Sequence, residues 1–66
     1  MKKIIDYKIT EESSEYSLAK IVNKDMQEGW QPLGGVNLIP YYDAIGQGYI
    51  NYVQAMVKYE EEPTTK

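Results

Sequence analysis

Nucleophilic catalysis needs an activated side chain beside a proton acceptor, and the 66 residues of this chain include no histidine and no cysteine. The Ser-His and Cys-His arrangements are therefore excluded. Ser13, Ser14 and Ser17 supply hydroxyls, but they precede an apolar segment, where turns and helix caps favour serine. Paired carboxylates offer another route to acid-base work. The candidates, Glu11-Glu12 and Glu60-Glu61-Glu62, are adjacent in sequence on what reads as a loop and a tail, so they read as solvated charges. Asp6, Asp25 and Asp43 fall on different elements and make no metal site. Gly34-Gly35 and Gly46-Gln47-Gly48 open no helix and lack the remaining residues of phosphate-cradling loops. The chain reads as a non-enzyme that uses no cofactor and no metal.

What remains is surface chemistry. Seven residues are Tyr, a side chain with a large apolar body and a polar tip that suits half-buried sheet faces and binding surfaces alike. Within Pro40 to Ile45, Tyr41, Tyr42 and Ile45 lie at an expected hairpin tip, and turn chemistry does not demand them there. They could stack on a base, a sugar or a partner's side chain, or fold back on the sheet end. Trp30 reads as structural, packed just after a helix stop.

The elements that position these residues follow from periodicity. Lys3 to Thr10 alternates with period two, so it reads as a strand with Ile5, Tyr7 and Ile9 on its dry face. Glu11 to Tyr16 reads as a loop. Leu18, Ile21, Val22 and Met26 then fall on one helical stripe. Ser17 is the expected N-cap, with Tyr16 and Ile21 as a hydrophobic staple, and Ser14 is the rival cap one turn earlier. Gly29 fits the left-handed position after the helix, which places the helix at about Ser17 to Glu28.

Trp30 to Ile39 returns to extended character. Pro32 confines that strand to an edge, and Gly34-Gly35 suggests a bulge. Pro40 to Gly48 reads as a loop. Tyr49 to Glu60 is the longest strand pattern, with Val53, Ala55, Val57 and Tyr59 on one face. Residues 61–66 read as a flexible charged tail. The fold class is α+β: β-α-β-β in a single domain over 1–60, with one helix packed on a three-stranded antiparallel-type sheet. The third strand is apolar on both faces and free of proline, so it belongs in the middle, giving the order 1-3-2. The helix is expected over Ile5, Tyr7, Ile9, Val53, Ala55 and Val57.

One helix shields one face only. The other face is expected to present Tyr52 and Met56 with Ile4, joined by Val36 and Leu38 if the bulge keeps the register. Contiguous exposed apolar area marks an interface. A chain this short buries only roughly 60% of the surface its unfolded form exposes. Disulfides and the usual metal ligands are absent, which leaves oligomerisation as its support. The expected partner is the chain itself, most simply as a face-to-face dimer. Another protein or a small, nucleotide-like ligand held between subunits is the alternative.

Charge and composition exclude other partners. The net charge is −3, and all seven basic residues are Lys. No arginine fork is available for phosphate or guanine, and mild acidity gives no reward for approaching a phosphate backbone, so nucleic acid is not expected. Asp6 and Lys8 interrupt Met1-Lys2-Lys3-Ile4-Ile5 before an export signal can form, and no apolar run is long enough for a membrane span. A cytoplasmic protein is the expectation.

Three strings carry a family resemblance. They are Ile5-Asp6-Tyr7-Lys8-Ile9, Glu28-Gly29-Trp30-Gln31-Pro32-Leu33-Gly34-Gly35-Val36 and Tyr52-Val53-Gln54-Ala55-Met56-Val57-Lys58-Tyr59. The chain resembles the bacterial and phage family "domain of unknown function 1737" over about residues 3 to 60. The resemblance implies a short α+β domain of bacterial or phage origin. It implies no known activity, so no functional residue is carried over from it.

Overall fold

The computed structural model describes residues 2–60. The tail expected over 61–66 lies outside the described residues. Four elements follow one another: strand β1 (Ile4–Glu12), helix α1 (Glu15–Gln27), strand β2 (Gln31–Tyr42) and strand β3 (Gly48–Tyr59). The three strands form one sheet in the order β1-β3-β2, with both neighbouring pairs antiparallel. This is the expected α+β topology.

Helix α1 begins one turn before Ser17. Ser14 has an extended backbone and its hydroxyl accepts from the Ser17 amide at 3.0 Å, while its carbonyl accepts from Leu18 N. Ser17 thus stands at the third helical position and cannot cap. The expected staple does not form, because the shifted cap moves Tyr16 into the first turn, where it is exposed. Glu15 in that turn complements the positive end of the helix dipole. The other end matches expectation. Gly29 has φ +97°, its amide donates to Met26 O at 3.2 Å, and Trp30 N donates to Asp25 O at 3.0 Å. These two bonds make a Schellman motif.

Strand β2 runs three residues further than expected, through Pro40, Tyr41 and Tyr42, which pair with Ile50, Tyr49 and Gly48. A proline inside the sheet is tolerable because β2 is an edge strand. The hairpin loop shrinks to residues 43–47. There Asp43 Oδ1 accepts from Ile45 N at 3.1 Å and Gln47 N at 2.8 Å, and Gly46 takes φ +84°. Strand β1 likewise extends past Thr10 and takes in Glu11 and Glu12.

The bulge forms where the two glycines stand. The register shifts between Leu33 and Asn37, which face Ala55 and Val53, so β2 carries two extra residues there. Two extra residues keep the alternation in phase. Gly34 has φ +75°, and the buried Gln54 amide donates to the carbonyls of Leu33 at 3.2 Å and Gly34 at 3.1 Å. One side chain thus supplies a donor to two carbonyls at the bulge.

The faces of the sheet are the reverse of the expectation. Lys8 and Thr10 reach Asp25 on α1, at 2.9 Å and 3.3 Å, and their register partners Met56 and Gln54 share that face. The helix therefore lies over Lys8, Thr10, Gln54 and Met56, not over Tyr7, Ile9, Val53, Ala55 and Val57. Alternation by polarity misleads here because the polar side chains on the inner face are satisfied by the helix carboxylate and by the bulge carbonyls. Asp25 falls seven residues after Leu18, on the helix's inward stripe, and both are buried. Val53 and Val57 lie on the opposite face and are buried as well, Val57 between its register partners Tyr7 and Gln31. Ile5, also expected beneath the helix, sits at a bulge between Ile4 and Asp6 and is exposed.

Candidate functional site

Among the described residues only four apolar side chains are buried: Leu18, Val53, Met56 and Val57. The exposed apolar side chains are divided among the helix, the hairpin loop, the start of β1 and both faces of the sheet; the face turned away from α1, here the reverse face, carries Tyr7, Ile9, Leu33 and Tyr49. Strand β1 contributes Tyr7, 55% exposed, and Ile9, 62% exposed. Register pairing places the buried Val57 and half-buried Ala55 of β3 beside them and adds the exposed Leu33 from β2. Further along, Tyr49, 52% exposed, stacks on its register partner Tyr41 with ring centroids 5.4 Å apart and planes 16° apart.

A polar knot closes this end of the face. Glu11 Oε2 accepts from the Tyr41 hydroxyl and from Asn51 Nδ2, both at 2.8 Å. The Asn51 amide, followed by the Tyr41 hydroxyl, holds the Glu11 carboxyl below its ordinary value. The same hydrogen bond raises the Tyr41 phenol. Glu11 is therefore not a free carboxylate on a loop but a clamp across all three strands. Asn51 Oδ1 is the one buried side-chain polar atom without a partner among the described residues.

The expected surface residues are distributed differently. Met56 is fully buried on the helix side, so it cannot belong to an exposed patch. Its burial follows from the inverted faces and its place on the central strand. Ile4 pairs with Tyr59 at the far end of the sheet, away from Met56 and Tyr52. Val36 and Leu38, both about half exposed, do share a face with Tyr52 as expected, but it is the helix side. Together with Leu18, Ala19 and Val22 they line a groove of about 560 Å³ between α1 and β2. Tyr41 belongs to the reverse face. Tyr42 and Ile45 project at the hairpin end, 76% and 85% exposed.

A shallow depression near the hairpin base is lined by Tyr41, Tyr42, Tyr49 and Tyr52, with Ser13, Pro40, Gly48 and Ile50. No lysine lines it. No group of three or more metal-ligating side chains occurs among the described residues, and no helix is long and apolar enough to cross a membrane.

The model of one family, "Domain of unknown function (DUF1737)", matches residues 4–59. The chain belongs to that family. No curated protein and no solved structure matches it. In this DUF1737 domain the three strings that carry the sequence resemblance meet around Trp30. Lys8 Nζ from the first lies 4.6 Å from the ring centroid, and Lys58 Nζ from the third lies 4.8 Å from it. Trp30 follows the helix stop from the second string, so its role as a packing residue is joined by two cation–π contacts.

Sequence reasoning missed Asp25, Gln54 and Glu11. The signal for Asp25 was its place on the helix stripe. Gln54 stands alone among apolar neighbours on the central strand, which marks a buried amide as readily as an exposed one. Glu11 carried no local signal, because its partners are 30 and 40 residues away.

Proposed function

We propose that this DUF1737 domain is a non-enzymatic interaction module that associates with itself through the reverse face of its sheet. The observation that carries the reading is how little apolar surface is buried: four side chains among the described residues, two of them, Val53 and Val57, on the reverse face itself, while Tyr7, Ile9, Leu33 and Tyr49 around them remain exposed. An exposed apolar patch of a few hundred Å² often serves as an interaction site, and a chain this short gains most from a second copy. The non-enzymatic part of the reading is supported by the engagement of the polar groups. Ser14 caps the helix and is bonded to Ser17, Asp25 holds Lys8, and Glu11 holds Tyr41 and Asn51. A cytoplasmic setting, where chains without cysteine are ordinary, completes it.

Light scattering on paired variants tests the face. Ile9→Glu places a charge at the middle of the reverse face, whereas Met26→Glu places one on the helix surface, where Met26 is 40% exposed. Ile9→Glu is expected to lower the molar mass at high protein concentration while Met26→Glu leaves it unchanged. Equal behaviour of both with the parent chain would remove the face from consideration.

The depression near the hairpin supports a second reading, a planar ligand stacked against Tyr42 and Tyr52 on the helix side of the sheet, since the Tyr41 and Tyr49 rings lie on the reverse face. Its lining has no cation, so the ligand class is an uncharged aromatic rather than a nucleotide carrying phosphates. Thermal shift against nucleosides and nucleotides side by side tests it; a melting point unmoved by either class would eliminate it.

A further inference from the structure

The reverse face is small for a stable contact. Three strands spaced about 4.8 Å apart and nine residues long at about 3.3 Å per residue cover roughly 400 Å² per copy. A face-to-face pair then buries about 800 Å², short of the roughly 1,200 Å² at which specific interfaces begin. A second contact surface is available at the sheet edge.

The two edges differ. Strand β2 carries Pro32, Pro40 and the Gly34-Gly35 bulge, all of which blunt an edge against pairing. Strand β1 has neither proline nor glycine, and its only irregularity is the bulge between Ile4 and Asp6. At its midpoint the Tyr7 amide donates to the Asp6 carboxylate at 2.9 Å, the substitute an edge amide takes when no strand lies beside it.

The sequence of β1 is complementary to itself. Two copies related by a two-fold axis, with their reverse faces on the same side, can pair antiparallel only about a residue. Centring on Asp6 sets Asp6 against the partner's Asp6, and centring on Lys8 sets Lys8 against the partner's Lys8. Like charges directly opposite oppose pairing. Centring on Tyr7 instead sets Asp6 against the partner's Lys8, twice over; the Lys8 ammonium already bonds Asp25 at 2.9 Å, so the advantage of this register is chiefly the like-charge repulsion it avoids.

We propose that the free edge of β1 is a homodimer contact, pairing antiparallel with a second copy in the register centred on Tyr7. The product is a six-stranded sheet in the order β2-β3-β1-β1-β3-β2, with the two reverse faces joined into one surface around Tyr7 and Ile9. The inference shares with the reading above its need for a second copy, but it names a different surface.

Isotope-filtered NOE spectroscopy on an equimolar mixture of labelled and unlabelled full-length chains, at millimolar concentration, tests it. The expected result is a set of cross-chain backbone contacts pairing Asp6 with Lys8, symmetric about Tyr7. Cross-chain contacts confined to reverse-face side chains would overturn edge pairing and leave the face-to-face reading standing. Edge contacts without face contacts would support the edge and overturn the face. A monomer at that concentration would overturn both.

Discussion

Neutralising the two partners of the Lys8–Asp25 pair should have unequal consequences. The atoms lie 2.9 Å apart, with the Asp25 side chain 7% exposed and the Lys8 side chain 37% exposed. Lys8→Met keeps an apolar stem in place but strands a buried carboxylate whose remaining donor is the Thr10 hydroxyl at 3.3 Å. Stranding one charge of a buried pair costs about 3–5 kcal/mol, and water access through the half-exposed lysine position puts this case near the lower end. Asp25→Asn leaves an amide oxygen that can still accept from Lys8 and Thr10, and the lysine can turn its ammonium to solvent. What is lost is charge assistance, about 1 kcal/mol.

A domain of this size rarely holds more than about 3–5 kcal/mol in all, so Lys8→Met should sit at the edge of folding while Asp25→Asn remains folded. Urea titration followed by far-ultraviolet circular dichroism measures both. Lys58→Met is the control, since it removes the other cation beside Trp30 without touching Asp25 and should cost only about 0.5–1 kcal/mol. Equal losses for Lys8→Met and Asp25→Asn, or a larger loss for Asp25→Asn, would refute the view that the carboxylate is the group that must not be left alone.

Other outcomes follow from the same coordinates. Gln54→Leu removes the donor from the Leu33 and Gly34 carbonyls and should cost about 1–3 kcal/mol of unfolding free energy, read from urea titration. Gly34→Ala forces a side chain into φ +75° and should cost about 1–2 kcal/mol. Gly35 has no positive φ and open space around it, so Gly35→Ala should be neutral or stabilise by up to about 1 kcal/mol. The Glu11–Tyr41 bond gives a pH signature. Glu11 is lowered, so its contribution is present above the unfolded value of about 4.3 and is lost as pH falls through the folded value. Tyr41 is raised, so its contribution is present below about pH 10 and is lost as pH rises through its folded value. Glu11→Gln should flatten both arms of the stability–pH profile and return the Tyr41 phenol toward its ordinary titration, read by ultraviolet absorbance.

The order of elements is legible in this sequence because each carries a strong local mark. Gly29 stops the helix, Pro32 demotes its strand to the edge, Gly34-Gly35 places the bulge, and the largely apolar strand without proline takes the centre. The faces are not legible, and the reason is particular. Strand β1 alternates cleanly, but its drier row, Tyr7 and Ile9, is the uncovered one, because Lys8 and Thr10 are called inward by Asp25 on the helix. A polarity pattern assumes that polar side chains seek water, and here they find each other. The hairpin boundary fails for a related reason. Pro40 looks like a loop residue, yet the edge position of β2 removes the penalty for its missing donor. The candidate surface inherits both errors: Met56 moves into the core, and Tyr41 moves from a loop tip to the sheet.

Sedimentation velocity of the unmodified chain across micromolar to millimolar concentration bears most directly on the uncovered sheet. A sedimentation coefficient that rises with concentration toward a species of two or more copies is the result expected. A constant value for a single 7.6 kDa chain throughout that range would contradict it, since the exposed Tyr7, Ile9, Leu33 and Tyr49 would then face water at every concentration reached.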